Sequence, residues 1–430
     1  MVNIAFIGAQ TGDEGKGVKE AHYAKRAVAY CERNFGRRQE PYVLTYRWQG
    51  GANAGHTVEI DERKEALHQL PSAILVDGTY NLMGEGVFLQ PRLAMKEIED
   101  LRRRGVRIDN TNFGIASNAH VTLDYHIDKD VKDSAARVGH TSTGKGIKPT
   151  AVDKYGRVGI RFEEFLDRRE FIEALKQRFP DGVPEKFGSY EAFADSYVAE
   201  RESLADFSVL QSEVMKKPWK FKIGEGAQGF QLDVDRGLYP GITSSNPSIV
   251  SARTDLVAGV VKMYESSVGG GRPFVGRMPT ETETHLRKCW GEFGTTTGKP
   301  RSLGWFDIVA LNNAIDSCGI DVLVGTCGDR LEELAKIGHE VKLITGYKID
   351  GEIFERWDKS FHKRGTLYRA EPVFEEFEAW NRFFDREKGN LTPKAQRFVD
   401  RIQKLTGREF VSHGYGPGID DVFEIRDILE

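Results

Sequence analysis

The sequence predicts an α/β protein with a large, mostly parallel central sheet flanked by helices and a helical subdomain set within it. Three observations carry this. An apolar run at residues 4–7 passes through Gly8-Ala9-Gln10-Thr11-Gly12-Asp13-Glu14-Gly15-Lys16-Gly17 into a helical pattern, which reads as strand, phosphate-sized loop and helix. Short apolar runs recur at residues 74–76, 88–89, 113–115, 323–324 and 343–344, with helical patterns such as 93–101 between several of them, as βαβ units require. Glycine-rich loops follow several of these runs, where open parallel sheets place their ligands.

In the first loop, glycines let backbone N–H groups approach an anion, the helix N-terminus adds its positive dipole end, and Lys16 adds a point charge. The organisation is P-loop-NTPase-like but has no Walker A motif. The required first glycine falls at Gln10, and Gly17 stands where a magnesium-binding Ser or Thr belongs. Asp13 inside the loop would be costly among phosphate-binding amides unless it held a metal ion or moved a proton. The helix that follows shows Val18, Ala21, Ala24, Val28 and Cys31 as its apolar stripe, which places Lys19, Glu20, Lys25 and Arg26 largely outside. A second strand at 42–48 exits into Gln49-Gly50-Gly51-Ala52-Asn53-Ala54-Gly55-His56-Thr57. Residues 161–221 are charged and helical in pattern, with Phe162, Phe165, Leu166 and Phe171 as a first stripe, and are read as a helical subdomain of a single domain spanning 1–430. Near the end, Thr392 and Pro393 suit N-cap and N1, Phe398, Ile402 and Leu405 form one face, and Gly407 is a C′ stop. A last strand around 409–411 leads to Gly414-Tyr415-Gly416-Pro417-Gly418.

Bulk composition narrows the function classes. With 430 residues, 39% hydrophobic, 29% charged and a net charge of −4, the chain lacks the basic footprint of a nucleic-acid binder. Cys31, Cys289, Cys318 and Cys327 show no C-x-x-C spacing, which argues against a zinc site or a disulfide framework and for reduced thiols. An apolar run long enough to span a membrane is not found, so a cytoplasmic enzyme without membrane partners is expected.

Four further segments have the composition of ligand loops. Ser142-Thr143-Gly144-Lys145-Gly146, with Asp153, Lys154 and Arg157 beyond it, offers the donors of a phosphate clamp. Gly224-Glu225-Gly226-Ala227-Gln228-Gly229, followed by Thr243-Ser244-Ser245-Asn246, offers an amide side chain able to read a base or sugar. The stretch from Thr295 through Thr297, Gly298, Lys299 and Arg301 suits a carboxylate ligand, and Asp329 could accept two N–H donors from a guanine edge. His56 stands apart because glycines and an asparagine precede it at a strand exit. His22, His68, His126, His285 and His362 read as structural, and Trp290 and Trp305 as core.

Taken in order, these motifs resemble the adenylosuccinate synthetase family over nearly the whole chain. The family's opening signature, Gly-x-Gln-Trp-Gly-Asp-Glu-Gly-Lys-Gly, is matched by residues 8–17 except at Thr11; residues 47–57, 142–159 and 226–246 are similarly close. The resemblance implies a ligase that joins IMP to L-aspartate using GTP and Mg²⁺ through a 6-phosphoryl-IMP intermediate. It implies that Asp13 is the base and a metal ligand, that His56 stabilises charge on the transferred phosphate as a donor, that Lys16 steadies phosphates, and that Gly55 offers Mg²⁺ a carbonyl. Asn53, Thr143, Gln228 and Thr243 would grip IMP, with Arg157 entering from the second subunit of a homodimer. Thr297, Lys299 and Arg301 would bind aspartate, while Gly12, Gly15, Gly17, Asp329, Gly416 and Pro417 would hold the donor nucleotide.

The chain departs from the family pattern at Thr11, at Lys299 in place of arginine, at Cys327 in place of the lysine before the base-reading aspartate, and at Gly414-Tyr415 in place of Ser-Thr. These departures suggest an alternative: a (d)GMP–aspartate ligase making 2-amino-(deoxy)adenylosuccinate, with ATP, dATP or GTP as donor. Asp13 favours IMP, since the viral relatives of that branch carry serine there. A non-catalytic nucleotide binder would show damage at Asp13, Lys16 or His56, and all three are intact.

Overall fold

The computed structural model describes residues 2–60, 63–135, 142–248, 254–268, 273–294 and 298–429. Eleven strands form one sheet with Val2–Gly8 at its middle, parallel to Phe221–Glu225 on one side and Leu256–Lys262 on the other. Beyond Phe221–Glu225 lie Val43–Gly51, Thr79–Leu89, Phe113–Ala116 and the edge strand Ser208–Val209, with His120–Val121 alongside Thr79–Leu89. Beyond Leu256–Lys262 lie Val322–Thr326 and Phe410–Gly414, and every pairing is parallel until Val422–Glu424 closes that edge antiparallel. The chain leaves the first strand towards one side and returns on the other, so the carboxyl end of Val2–Gly8 is a switch point where loops diverge and leave a crevice.

Both sheet faces are covered, which is why the strands read as continuous apolar runs. Ile4 and Phe6 pack with Tyr23, Ala24 and Ala27 of the helix Lys16–Phe35, whereas Ala5 and Ile7 join Tyr46, Trp48 and the large cluster on the opposite face. The buried stripe of this helix is rotated from the expected one. Lys19 and Glu20 are buried, at 1% and 0% exposure, while Val18 and Val28 are only half-buried. Glu20 meets its burial by accepting the Ala73 amide at 3.0 Å; burial, followed by the charge of Glu225 beside it, holds its carboxyl well above the usual range.

The apolar run at 74–76 is a 3₁₀ turn, Ser72–Leu75, and not a strand. Pro71 sets its entry, and its amides are claimed by carboxylates: Ser72 N–H donates to Glu225 and Ala73 N–H to Glu20. The run at 343–344 lies in Val341–Ile349, outside the central sheet, in a smaller sheet with Phe306–Asp307, Glu352–Phe354 and Glu371–Phe377.

Between 161 and 221 come the helices Phe162–Leu166, Arg168–Arg178, Tyr190–Asp195, Val198–Leu204 and Gln211–Lys216. Phe162, Phe165 and Phe171 are fully buried in a cluster shared with Met83, Phe113 and Ile115 of the central sheet. Asp153 ties this layer down, accepting from Tyr125 at 2.7 Å, His126 at 3.1 Å and Arg178 at 2.5 Å. The helix Pro393–Thr406 buries Phe398 and Ile402 and ends at Gly407 with φ 64°; Thr392 occupies the N-cap position, but its hydroxyl donates to the Arg382 carbonyl. Among the described residues no helix is long and apolar enough to cross a membrane.

Candidate active site

The carboxyl ends of the central strands open into one cavity of about 1120 Å³, above the size typical for one drug-sized ligand. The first loop forms its floor. Glu14 folds back into the loop and takes the Gly12 amide at 2.7 Å and the Gln10 amide at 3.2 Å on one oxygen, while Lys16 Nζ sits 2.5 Å from the other. Asp13 adopts φ 63°, the left-handed region, and its carboxylate pairs with the Arg301 guanidinium. Asp13, Lys16 and the glycines Gly12, Gly15 and Gly17 all line the cavity.

His56 enters from the strand His56–Ile60 with its Nδ1 against the Glu225 carboxylate, whose second oxygen takes the Ser72 amide at 2.9 Å. Burial lowers the His56 pKa and Glu225 partly restores it; burial pushes Glu225 up, but His56 and Arg47 overcome this and hold it well below the carboxylate range. With Nδ1–H committed to Glu225, Nε2 donates only when the ring is an imidazolium. A Cβ at position 17 would run into Ser72 Oγ and would stand 3.0 Å from His56 Nδ1 and 3.1 Å from Glu225 Oε1. Ser72, with the dyad behind it, occupies the space that a Walker Ser or Thr would need, so glycine is favoured there.

On one side of the cavity lie Asn53, Thr143, Gln228 and Thr243. Asn53 Nδ2 reaches Thr243 Oγ1 at 3.5 Å, while Asn53 Oδ1 has no hydrogen-bond partner among the described residues. Gln228, at φ 57°, buries both amide atoms without one. An unsatisfied buried amide costs about 1–3 kcal/mol, which a ligand edge offering both a donor and an acceptor would recover. Ser142 donates to Asp130 at 2.7 Å and the Gly146 amide donates to the same carboxylate at 3.0 Å, so the clamp's own donors are held by an acid missed in the sequence.

Another part of the lining, here called the basic wall, is cationic. Glu292, fully buried, gathers Lys262 at 2.8 Å, Arg330 at 2.7 Å and Arg301 at 2.5 Å. Burial would raise the Glu292 carboxyl, but Lys262 and Arg330 hold it below its usual range; Arg301 is lowered to about 10 by burial and by Arg330. Lys299 is exposed on the same wall, and Thr297 lies outside the described residues. Asp329, Gly416 and Pro417 line the far end, where Lys19 also reaches; its ammonium has no hydrogen-bond partner among the described residues, and burial lowers its pKa to about 8. Arg157 is exposed, with φ 61°, and does not line the cavity.

The residues missed in the sequence are therefore Glu225, Glu292, Lys262, Arg330, Asp130 and Lys19. Glu225 did stand inside a noted loop, and its position at the end of a strand between glycines was the available signal. Charge on an apolar helix face could have flagged Lys19. For Glu292 and its cations no local pattern exists, because the partners come from separate elements.

Comparison with known proteins shows what the whole chain is similar to. The family model described as adenylosuccinate synthetase matches residues 5–423. The chain is 36% identical to the adenylosuccinate synthetase of Caldanaerobacter subterraneus subsp. tengcongensis over 451 aligned positions, covering 99% of this chain and 100% of that protein. It is 32% identical to that of Lysinibacillus sphaericus, covering 100% of both. The fully ligated adenylosuccinate synthetase structure from Plasmodium falciparum superposes with TM-score 0.81 at 26% identity, covering 98% of this chain and 99% of that one. The cyanophage S-2L succinoaminodeoxyadenylate synthetase bound to dGMP and dATP gives TM-score 0.58 at 17% identity, covering 99% and 96%, a likeness of fold alone.

Proposed function

The chain belongs to the adenylosuccinate synthetase family and is a C–N ligase that joins IMP to L-aspartate with GTP, and we propose that the residues of the cavity divide this work as follows. Asp13 removes the N1 proton of the hypoxanthine, O6 attacks the γ-phosphorus, and GDP leaves; the aspartate amine then attacks C6 and displaces phosphate. His56 in its protonated form, which Glu225 favours against the effect of burial, donates from Nε2 to the charge that develops on the β- and γ-phosphates, with Lys16 beside it. The observation that carries this reading is the meeting, in one cavity, of Asp13, the His56–Glu225 dyad and Arg301.

Arg301 has two roles in sequence. It neutralises Asp13 until the substrate carboxylate arrives, then turns its fork to that carboxylate with Lys299 and Thr297, which frees Asp13 as a base. Asn53, Thr143, Gln228 and Thr243 hold IMP, and Asp329, Gly416 and Pro417 hold the guanine of the donor. The donor set for Mg²⁺ is all oxygen, the Asp13 carboxylate turned into the cavity and the Gly55 carbonyl, which fits a hard cation. Bound there with the phosphates, Mg²⁺ would neutralise charge on the transferring group. Exposed Val152, Tyr155 and Val158 flank Arg157, and this apolar margin supports a homodimer in which Arg157 completes the partner's IMP site.

Phosphate release with L-aspartate and Mg²⁺, crossing IMP and dGMP against GTP and ATP, tests the assignment. Turnover confined to IMP with GTP is expected; turnover with dGMP and not IMP would overturn it.

A further inference from the structure

We propose that His285, Cys289 and Glu333 form a binding site for one zinc-class divalent cation, outside the catalytic cavity. His285 and Cys289 stand four residues apart on the helix Thr280–Trp290 and so share a face. Glu333, in the short helix Glu332–Lys336, brings its carboxylate to them. His285 Nε2 lies 3.1 Å from Glu333 Oε1 and 3.6 Å from Cys289 Sγ, and the three ligand atoms fall within 4.8 Å of one another. In a tetrahedral zinc site, bonds of about 2.0–2.3 Å separate neighbouring ligand atoms by about 3.3–3.6 Å, so both measured edges already match a shared ion.

The donor set selects the ion. Imidazole and thiolate with one carboxylate oxygen suit Zn²⁺ over Mg²⁺ or Ca²⁺. Lys336 Nζ, 2.7 Å from Glu333 Oε2, holds the carboxylate so that Oε1 faces the histidine, which is the support that metal-binding carboxylates use. His285 and Cys289 are exposed, so an ion can enter and its fourth position stays open to water. None of the three residues lines the catalytic cavity. The site is nevertheless tied to it. The helix carrying His285 and Cys289 ends two residues before Glu292, and Glu333 follows Asp329 and Arg330 by one turn, so a bound ion would clamp together the two segments that build the basic wall. No local spacing shows this site, since its carboxylate lies 48 residues beyond the histidine.

The test uses the full chain, stripped with EDTA and desalted, then titrated with Co²⁺ as a spectroscopic substitute for Zn²⁺. One equivalent should produce a near-ultraviolet thiolate-to-cobalt band that Zn²⁺ displaces. Cys289→Ser should abolish the band and His285→Ala should weaken binding at least tenfold, whereas Cys327→Ser should keep both. Zn²⁺ at a hundredfold excess over its Kd should raise Tm by about 3 °C in the wild type and not in His285→Ala. No band at saturating Co²⁺, or a band that survives Cys289→Ser or vanishes in Cys327→Ser, would overturn the proposal.

Discussion

Replacing Glu225 by Gln tests whether His56 works as a cation. Glutamine keeps the shape and can still accept from the Ser72 amide, but it removes the buried charge that faces His56 Nδ1. Burial disfavours the imidazolium, and the Glu225 carboxylate is the main group opposing that effect. An opposite charge in contact shifts a pKa by about 1–3 units, about 1.4–4 kcal/mol, so the imidazolium becomes about 10- to 1,000-fold scarcer without it. If that form donates to the developing phosphate charge, kcat near neutrality falls by the same factor while KM for IMP and aspartate stays close to wild type. The pH dependence carries the sign. Activity that needs protonated His56 is lost as pH rises through its pKa, so the lower pKa of the variant moves this alkaline-side loss to lower pH by about 1–3 units. The assay is steady-state phosphate release as a function of pH for the wild type, Glu225→Gln, His56→Ala and the double variant. A kcat within twofold of wild type with an unmoved profile would refute the dyad, as would full additivity of the two single changes.

Asp13→Ala should nearly abolish turnover while calorimetry still detects nucleotide binding; wild-type-like turnover would remove Asp13 from the chemistry. Glu292→Gln leaves Lys262, Arg301 and Arg330 without their shared carboxylate, and losing a buried partner costs about 3–5 kcal/mol, so Tm should fall by about 3–6 °C, read by calorimetry. The folded pKa of Glu292 is depressed, so its stabilisation is present above the unfolded value of about 4.3 and is lost as pH falls through the folded value; the gap between variant and wild type should therefore close in acid. Lys19→Met should raise Tm by about 3 °C below pH 8, because an ammonium lowered to about 8 from an unfolded value near 10.4 is a net penalty of about 3 kcal/mol that deprotonation relieves at higher pH; a fall in Tm would show that Lys19 is held by a favourable charge pair.

Strands with two covered faces are legible as apolar runs, and loops at strand ends are legible as glycine clusters, so the sheet's core and the loops that border the cavity could be located from sequence, whereas Lys19, Asp130, Lys262 and Arg330, which also line it, could not. The failures share a cause. Residues 74–76 look like a strand because their apolar character is real, but their amides are taken by Glu20 and Glu225, a pairing set by tertiary contacts. Lys19 and Glu20 look solvent-facing because charge is the usual mark of an outer helix face. Burial here shifts the carboxyl instead, pushing the Glu20 pKa well up.

Several charged groups at the cavity are matched with a protein group of opposite sign: Asp13 with Arg301, Lys16 with Glu14, His56 with Glu225, and the three basic-wall side chains with Glu292. Such pairs keep a charged loop from repelling itself, so the fold tolerates the charge density that phosphoryl transfer needs. With the roles proposed above they also make binding an exchange of partners: a phosphate that reaches Lys16 would compete with Glu14, and a substrate carboxylate that reaches Arg301 would release Asp13. Of these pairs, only the His56–Glu225 contact gains from persisting through the reaction, since the carboxylate favours the protonated ring that the developing phosphate charge also favours. The burial fits the proposed roles: Glu225, the partner that would have to stay, is fully buried, whereas Asp13, the one that would have to act, is one-third exposed to the cavity.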